Sequence, residues 1–119
     1  MKRYLRASGD FKKVYQKGKR YEGLLMTAFV LPNDQPHQRL GVTASRRISI
    51  RAYERNRAKR LLRETFRLHA RTLGCLQGRY DWVLNAKRTL LSVTVLKPLE
   101  EFDGIIKRVE SEESRLRKA

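Results

Sequence analysis

The chain has 119 residues, 40% of them hydrophobic, which suits one domain built on a single modest core. Its 28 Lys and Arg against 12 Asp and Glu leave a formal net charge of +16, and a charge of that size points to a polyanion as partner. No apolar run approaches the roughly 20 residues of a membrane span, MKRYLRASGD lacks the apolar stretch of a signal peptide, and Cys75, His37 and His69 offer neither a disulfide nor a metal cage. A cytoplasmic protein without membrane contact is expected, with Cys75 as a small apolar filler.

Taken in chain order, SGDFKKVYQKG (residues 8–18) predicts a short helix, with Ser8 as N-cap, Gly18 as the closing residue, and Phe11, Val14 and Tyr15 at helical spacing. LLMTAFVL (24–31) is an apolar run of strand length, and RLGVTAS (39–45) alternates Leu40, Val42 and Ala44 with smaller or polar residues. The turn-rich PNDQPHQ between them predicts a hairpin. A single long helix is expected from about Ala52 to Leu73, ending at Gly74, followed by a strand at YDWVLNA (80–86). The last helix should begin near Pro98, carry Glu100 and Glu101 in its first turn, and bury Leu99, Phe102, Ile105, Ile106 and Val109. Residues 1–119 then form one domain, in which 110–119 is a charged tail expected to fray.

The positive charge is unevenly placed. Residues 97–119 hold six basic and six acidic side chains, so the whole excess lies before Lys97. It peaks from Arg46 to Arg63, where Arg46, Arg47, Arg51, Arg55, Arg57, Lys59, Arg60 and Arg63 face only Glu54. Solvated helix faces ordinarily mix signs at i,i+4, whereas these repel unless a phosphate backbone neutralises them. At about 100° per residue, Ala58, Leu61, Leu62, Thr65, Phe66, His69 and Leu73 form the core side of the long helix. Asn56, Lys59, Arg60, Arg63 and Arg67 cluster opposite, with Arg55 and Arg57 flanking them at the first turn. Cations there oppose the helix dipole, a cost that a bound anion would remove.

Basic surface alone does not separate DNA from RNA. Phe11 and Tyr15 share one face of the first helix, and Phe29 lies on the opposite strand face from Ala28 and Val30. Such residues belong either to the core or to a stacking platform for unpaired bases. Tyr21 and Tyr53 are weaker candidates for the second role. The six acids before Lys97 show no metal-ligand spacing and no acid–base pair, so no catalytic residue is expected.

The order GDFKKVYQKGKR, RLGVTASRR, RNRAKRLLRETFR and DWVLNAKR resembles the protein subunit of bacterial ribonuclease P, from about Leu5 to Ile106. The resemblance implies an α/β (α+β) fold, a compact two-layer sandwich of a small mixed sheet with helices in the order αβββαβα and a left-handed βαβ crossover. It also implies a role: joined to a catalytic RNA, the subunit helps remove the 5′ leader from precursor tRNA, with Mg²⁺ held mainly through RNA and with neither DNA nor membrane as partner. Carried over onto this chain, Arg46, Arg47, Arg55, Asn56, Arg57, Lys59, Arg60, Arg63 and Arg67 would face the catalytic RNA. Phe11, Tyr15, Phe29, Lys87 and Arg88 would line the cleft for the single-stranded leader. Arg46 and Arg47 stand in place of a pair that is usually Lys-Lys. ISIRAYERNR replaces the more typical Val-Gly-Lys-Ala-Val approach, with Ser49 where Gly is common and Tyr53 where a small aliphatic is common, so a different turn into the helix is expected. A structural RNA-binding protein of ribosomal type would carry the same charge.

Overall fold

The computed structural model describes Tyr4, Leu5 and residues 7–118, with side chains as far as Leu116. Among the described residues the elements are α1 (Ser8–Lys17), β1 (Lys19–Glu22), β2 (Met26–Pro32), β3 (Arg39–Thr43), α2 (Ala52–Leu68), α3 (Ala70–Gly74), β4 (Tyr80–Ala86) and α4 (Leu96–Lys118), with a 3-10 turn at Arg88–Ser92. The strands form one mixed sheet in the order β1-β2-β4-β3. β2 runs antiparallel to both β1 and β4, while β3 and β4 are parallel neighbours joined through α2 and α3. The fold is the α+β sandwich the sequence implies, with the short α3 added to the αβββαβα order.

Which strand takes which place follows from what each must bury. Most of β2 and β4 is covered on both faces, so these strands occupy the centre. β3, with Arg39 and Thr43 only half-buried, goes to an edge. The expected hairpin between 24–31 and 39–45 is therefore not formed, because β4 inserts between the two strands. The actual hairpin pairs β2 with β1, where Tyr21 opposes Ala28. KRYE gives a poor strand signal because Tyr21 is the only buried residue of its four.

The sheet has two unlike faces. Ala28, Val30, Leu40, Trp82 and Leu84 meet Ala58 and Leu62 of α2 and Phe102, Ile105, Ile106 and Val109 of α4 in the main core. Trp82, fully buried, sits edge-on to Phe102 at 5.5 Å between ring centres. Each such side chain contributes about 1.5–3 kcal/mol on burial. On the other face α1 covers only part of the sheet, burying Leu5, Val14 and Val83 with Phe11, Phe29 and Leu31 half-buried beside them. The uncovered remainder is a groove.

Several local expectations give way to tertiary contacts. The long helix breaks at His69, whose Nδ1 bonds the Thr65 carbonyl at 2.8 Å while its own N–H turns to Phe66 O. The ring thus takes the acceptor that the backbone would have used. Ser8 is the first helical residue of α1, Ala7 precedes it, and no side chain caps the end. Gly18 closes α1 in extended conformation. It is required by close approach, since a Cβ there would lie 2.5 Å from Val14 O. Cys75 is exposed, so it fills no core space. Tyr21 is buried beneath Lys19 and Arg108, which removes it as a stacking candidate. Leu99 is half-buried, and the neighbouring Pro98 takes the buried position.

The stretch expected to fray is drawn as helix, α4 continuing to Lys118, and Glu113 within it is anchored to the loop before β4. Its carboxylate accepts the N–H groups of Gln77 and Gly78, at 3.0 and 2.9 Å, and the Tyr80 hydroxyl. Burial first, and the Glu113 carboxylate second, raise the Tyr80 pKa. One helical segment earlier, Glu101 clasps the β1–β2 turn in the same manner, accepting from the backbone of Leu24, Leu25 and Met26.

Candidate nucleic-acid interface

Two surfaces, a ridge and a groove, meet at the β3 edge. The ridge is α2. Its core side buries Ala58, Leu62 and Thr65, while Asn56, Arg57, Arg60, Arg63 and Arg67 are exposed and Arg55 and Lys59 half-buried. Among the described residues no acid pairs with Arg46, Arg47, Arg57, Lys59, Arg60 or Arg63. A row of unneutralised cations this close has electrostatic repulsion to relieve.

Five of the predicted cations have partners within the chain, among them Arg57, whose Nη2 donates to Leu91 O at 3.5 Å, and Lys87, which pairs with Glu22. Arg67 is held by Glu64, whose carboxylate it keeps below its ordinary pKa. Arg55 Nη1 donates to Ser49 O at 3.0 Å, and Arg88 Nη2 to Arg47 O at 2.8 Å, so these two brace the segment leading into α2. Ser49 organises the same segment by donating to Glu54 and accepting from the Arg51 N–H. That is how the turn works with Ser in place of Gly. Tyr53, 66% exposed, has its hydroxyl 3.4 Å from Arg51 Nη1 and keeps its ring open to a base.

The groove lies on the sheet face that α1 half covers. Strand register sets two cross-strand rows there. Arg20, Phe29, Val83 and Gly41 form the first, under α1, and Glu22, Thr27, Asn85 and Thr43 form the second, beside it. Phe11 and Tyr15 wall the groove together with Ser8, Lys12 and Gln16. Tyr15 stands edge-on to Phe29 at 4.9 Å, is 38% exposed, and donates its hydroxyl to Asn85 Oδ1 at 2.9 Å. Phe11 lies directly on Gly41, where a Cβ would come within 2.6 Å of its ring. Of the three aromatic residues, Tyr15 presents the most surface, while Phe11 and Phe29 serve both packing and groove.

Asn85 is a groove residue that sequence reasoning missed. Its Oδ1 also accepts from Thr43 Oγ1 at 2.6 Å, so both contacts fall on the oxygen and the amide nitrogen is its remaining donor. The signal was parity: Asp81, Val83 and Asn85 share the outer face of an otherwise apolar strand. Lys87, next on that face, is ion-paired with Glu22 and donates to Gly23 O. Hydrogen bonds from Lys87 first and Arg20 second hold the Glu22 carboxyl at a pKa of about 2. Of the two basic residues predicted for the cleft, neither lines the groove beside α1: Lys87 has its charge matched by Glu22, and Arg88 is engaged with the Arg47 carbonyl. The two surfaces join where Arg63 of α2 and Phe11 of α1 line one depression over Leu40 and Gly41.

Comparison with known proteins settles which family builds this arrangement. The sequence profile of the family described as Ribonuclease P matches residues 1–110. The chain belongs to the ribonuclease P protein family. It is 35% identical over 102 residues to the "Ribonuclease P protein component" of Methylococcus capsulatus, covering 83% of this chain and 77% of that one. It is also 35% identical over 101 residues to that of Histophilus somni, covering 82% and 79%. Among solved structures, the RNase P protein from Thermotoga maritima superposes with a TM-score of 0.74 at 27% identity, covering 88% of this chain and 96% of the other. The Staphylococcus aureus RNase P protein shares the fold, with a TM-score of 0.77 at 22% identity over 92% and 97%.

Proposed function

We propose that the chain is the RNA-binding subunit of a ribonuclease P ribonucleoprotein, acting in the cytoplasm in the removal of the 5′ leader from precursor tRNA. In this reading the α2 ridge, with Arg46 and Arg47, neutralises phosphates of the catalytic RNA, and the groove beside α1 takes the single-stranded leader. The observation that carries it is the junction at Arg63 and Phe11, where the ridge opens directly into the groove. A purely structural RNA-binding protein has use for the ridge alone, so the adjoining groove favours the processing role.

The chain's part is binding and positioning. Guanidinium groups hold phosphate oxygens bidentately, and Tyr15 offers a ring edge and face to an unpaired base beside the Asn85 amide. Among the described residues no three His, Cys, Asp or Glu side chains come together to hold a metal ion. In this reading Mg²⁺ is held mainly through the RNA and would supply the chemistry of phosphodiester cleavage. The test is reconstitution with precursor tRNA in Mg²⁺. The chain alone should be inert, and with the cognate RNA subunit it should raise cleavage at moderate salt above that of the RNA alone. A chain that leaves the RNA-only rate unchanged would refute the assignment.

A further inference from the structure

At the far end of α2, the β2–β3 connection and α3 enclose a pocket of about 250 Å³. Phe66 and Leu73 line it from the core side. Phe66 already packs against Trp82 and Phe102, at 6.4 and 5.9 Å between ring centres, and remains half-buried, so part of its ring is left for another contact. Tyr4, 46% exposed, adds a second ring to the lining, and Arg67 and Arg79 add guanidinium groups. No acidic side chain lines the pocket, although Glu64 pairs with Arg67 nearby.

Arg79 is the better anion holder. Its Nη1 is anchored on the carbonyls of Leu76 and Gly78, both at 3.3 Å, and no acid pairs with it among the described residues. Two further nitrogens of the fork remain to donate. The surrounding loops are fixed by Gln38, which donates to Gly78 O at 2.9 Å and accepts from Tyr80 N and Trp82 Nε1, both at 2.9 Å. The pocket is therefore braced in place, and it continues the line of Arg60, Arg63 and Arg67 along the ridge. Aromatic surface beside a fixed guanidinium at the end of a cationic track matches a nucleotide, base on the rings and phosphate on the fork.

We propose that this pocket takes one unpaired nucleotide of the RNA subunit, with its base against Phe66 and Tyr4 and its phosphate on Arg79. The inference rests on the reading under Proposed function. It goes beyond that reading in adding a second base-binding site, distinct from the leader groove, with Tyr4 standing between this pocket and the depression at Arg63 and Phe11.

Gly74 provides the test, because it lines the pocket, has an ordinary φ, and a Cβ added there meets nothing within 4 Å. Gly74→Phe should keep the fold while placing a ring in the pocket, and Arg79→Gln should remove the anion partner. Each should weaken binding of the RNA subunit about tenfold, leave the preference for precursor over mature tRNA unchanged, and expose to chemical modification an unpaired base that the wild-type chain protects. Adenosine 5′-monophosphate, titrated against the full chain by NMR, should shift the amides of Gly74 and Arg79 more strongly than adenosine or inorganic phosphate does. Wild-type affinity and an unchanged modification pattern in Gly74→Phe, or nucleotide shifts confined to the leader groove, would overturn the pocket alone. Failure of the wild-type chain to bind the RNA subunit would overturn both this inference and the function it rests on.

Discussion

Glu101→Ala removes the acceptor that three successive backbone N–H groups share. Its oxygens lie 2.7 Å from Leu24 N, 2.9 Å from Leu25 N and 3.0 Å from Met26 N. Leu24 is 82% exposed, so water replaces its partner, whereas Leu25 at 9% and Met26 at 0% have far less access. A buried donor left without a partner costs about 1–3 kcal/mol, so two of them give a loss of about 3 kcal/mol after partial relaxation. For a domain of this size that lowers the melting temperature by about 10 °C. The same turn presents the Gly23 carbonyl to Lys87, so the loosened clasp also disturbs one end of the groove. Thermal unfolding followed by circular dichroism, with hydrogen exchange at Leu25 and Met26, measures both effects. A melting temperature within about 2 °C of wild type, with both amides still protected, would refute the clasp.

Changing Arg57 and Arg60 together to Ala should leave the fold intact, since both are exposed, and should flatten the salt dependence of RNA-subunit binding by roughly one ion per lost phosphate contact. Binding isotherms across a salt series read this directly, and an unchanged slope removes these residues from the phosphate contacts. The Glu22 carboxyl, held at a pKa of about 2 by Lys87 and Arg20, should titrate well below its ordinary value of 4.5. Its folded-state pKa is depressed, so its contribution to stability is present above pH 4.5 and is lost as pH falls from there toward 2. A carboxyl-carbon NMR titration with a midpoint near 4.5 would contradict the ion pair.

The two most regular patterns were legible from sequence alone. YDWVLNA forms β4 over the expected residues, and the apolar stripe of α2 faces the core with its cations outward, because each signal is local periodicity that burial reinforces. What was not legible depends on partners distant in sequence. The insertion of β4 between β2 and β3 is decided by which strands must be covered on both faces, and the break at His69 by a side chain taking a backbone acceptor. Glu101 and Glu113 read as helix charges until the turns they clasp are in view. Charge density singles out the cations, but which of them hold partners within the chain, namely Arg55, Arg57, Arg67, Lys87 and Arg88, needed three dimensions.

The most direct test of the leader-binding account is the affinity of the holoenzyme carrying Tyr15→Leu for precursor and for mature tRNA, with the melting curve taken on the same variant. Tyr15 is 38% exposed and its hydroxyl bond to Asn85 is at the surface, so Leu should hold most of the packing and keep the melting temperature within a few degrees. Loss of one base–aromatic stack should cost precursor binding about 1–3 kcal/mol, while mature tRNA, which lacks the leader, binds as before. Equal loss for both ligands, accompanied by a clear fall in melting temperature, would contradict the account and return Tyr15, with Phe11 and Phe29, to the core.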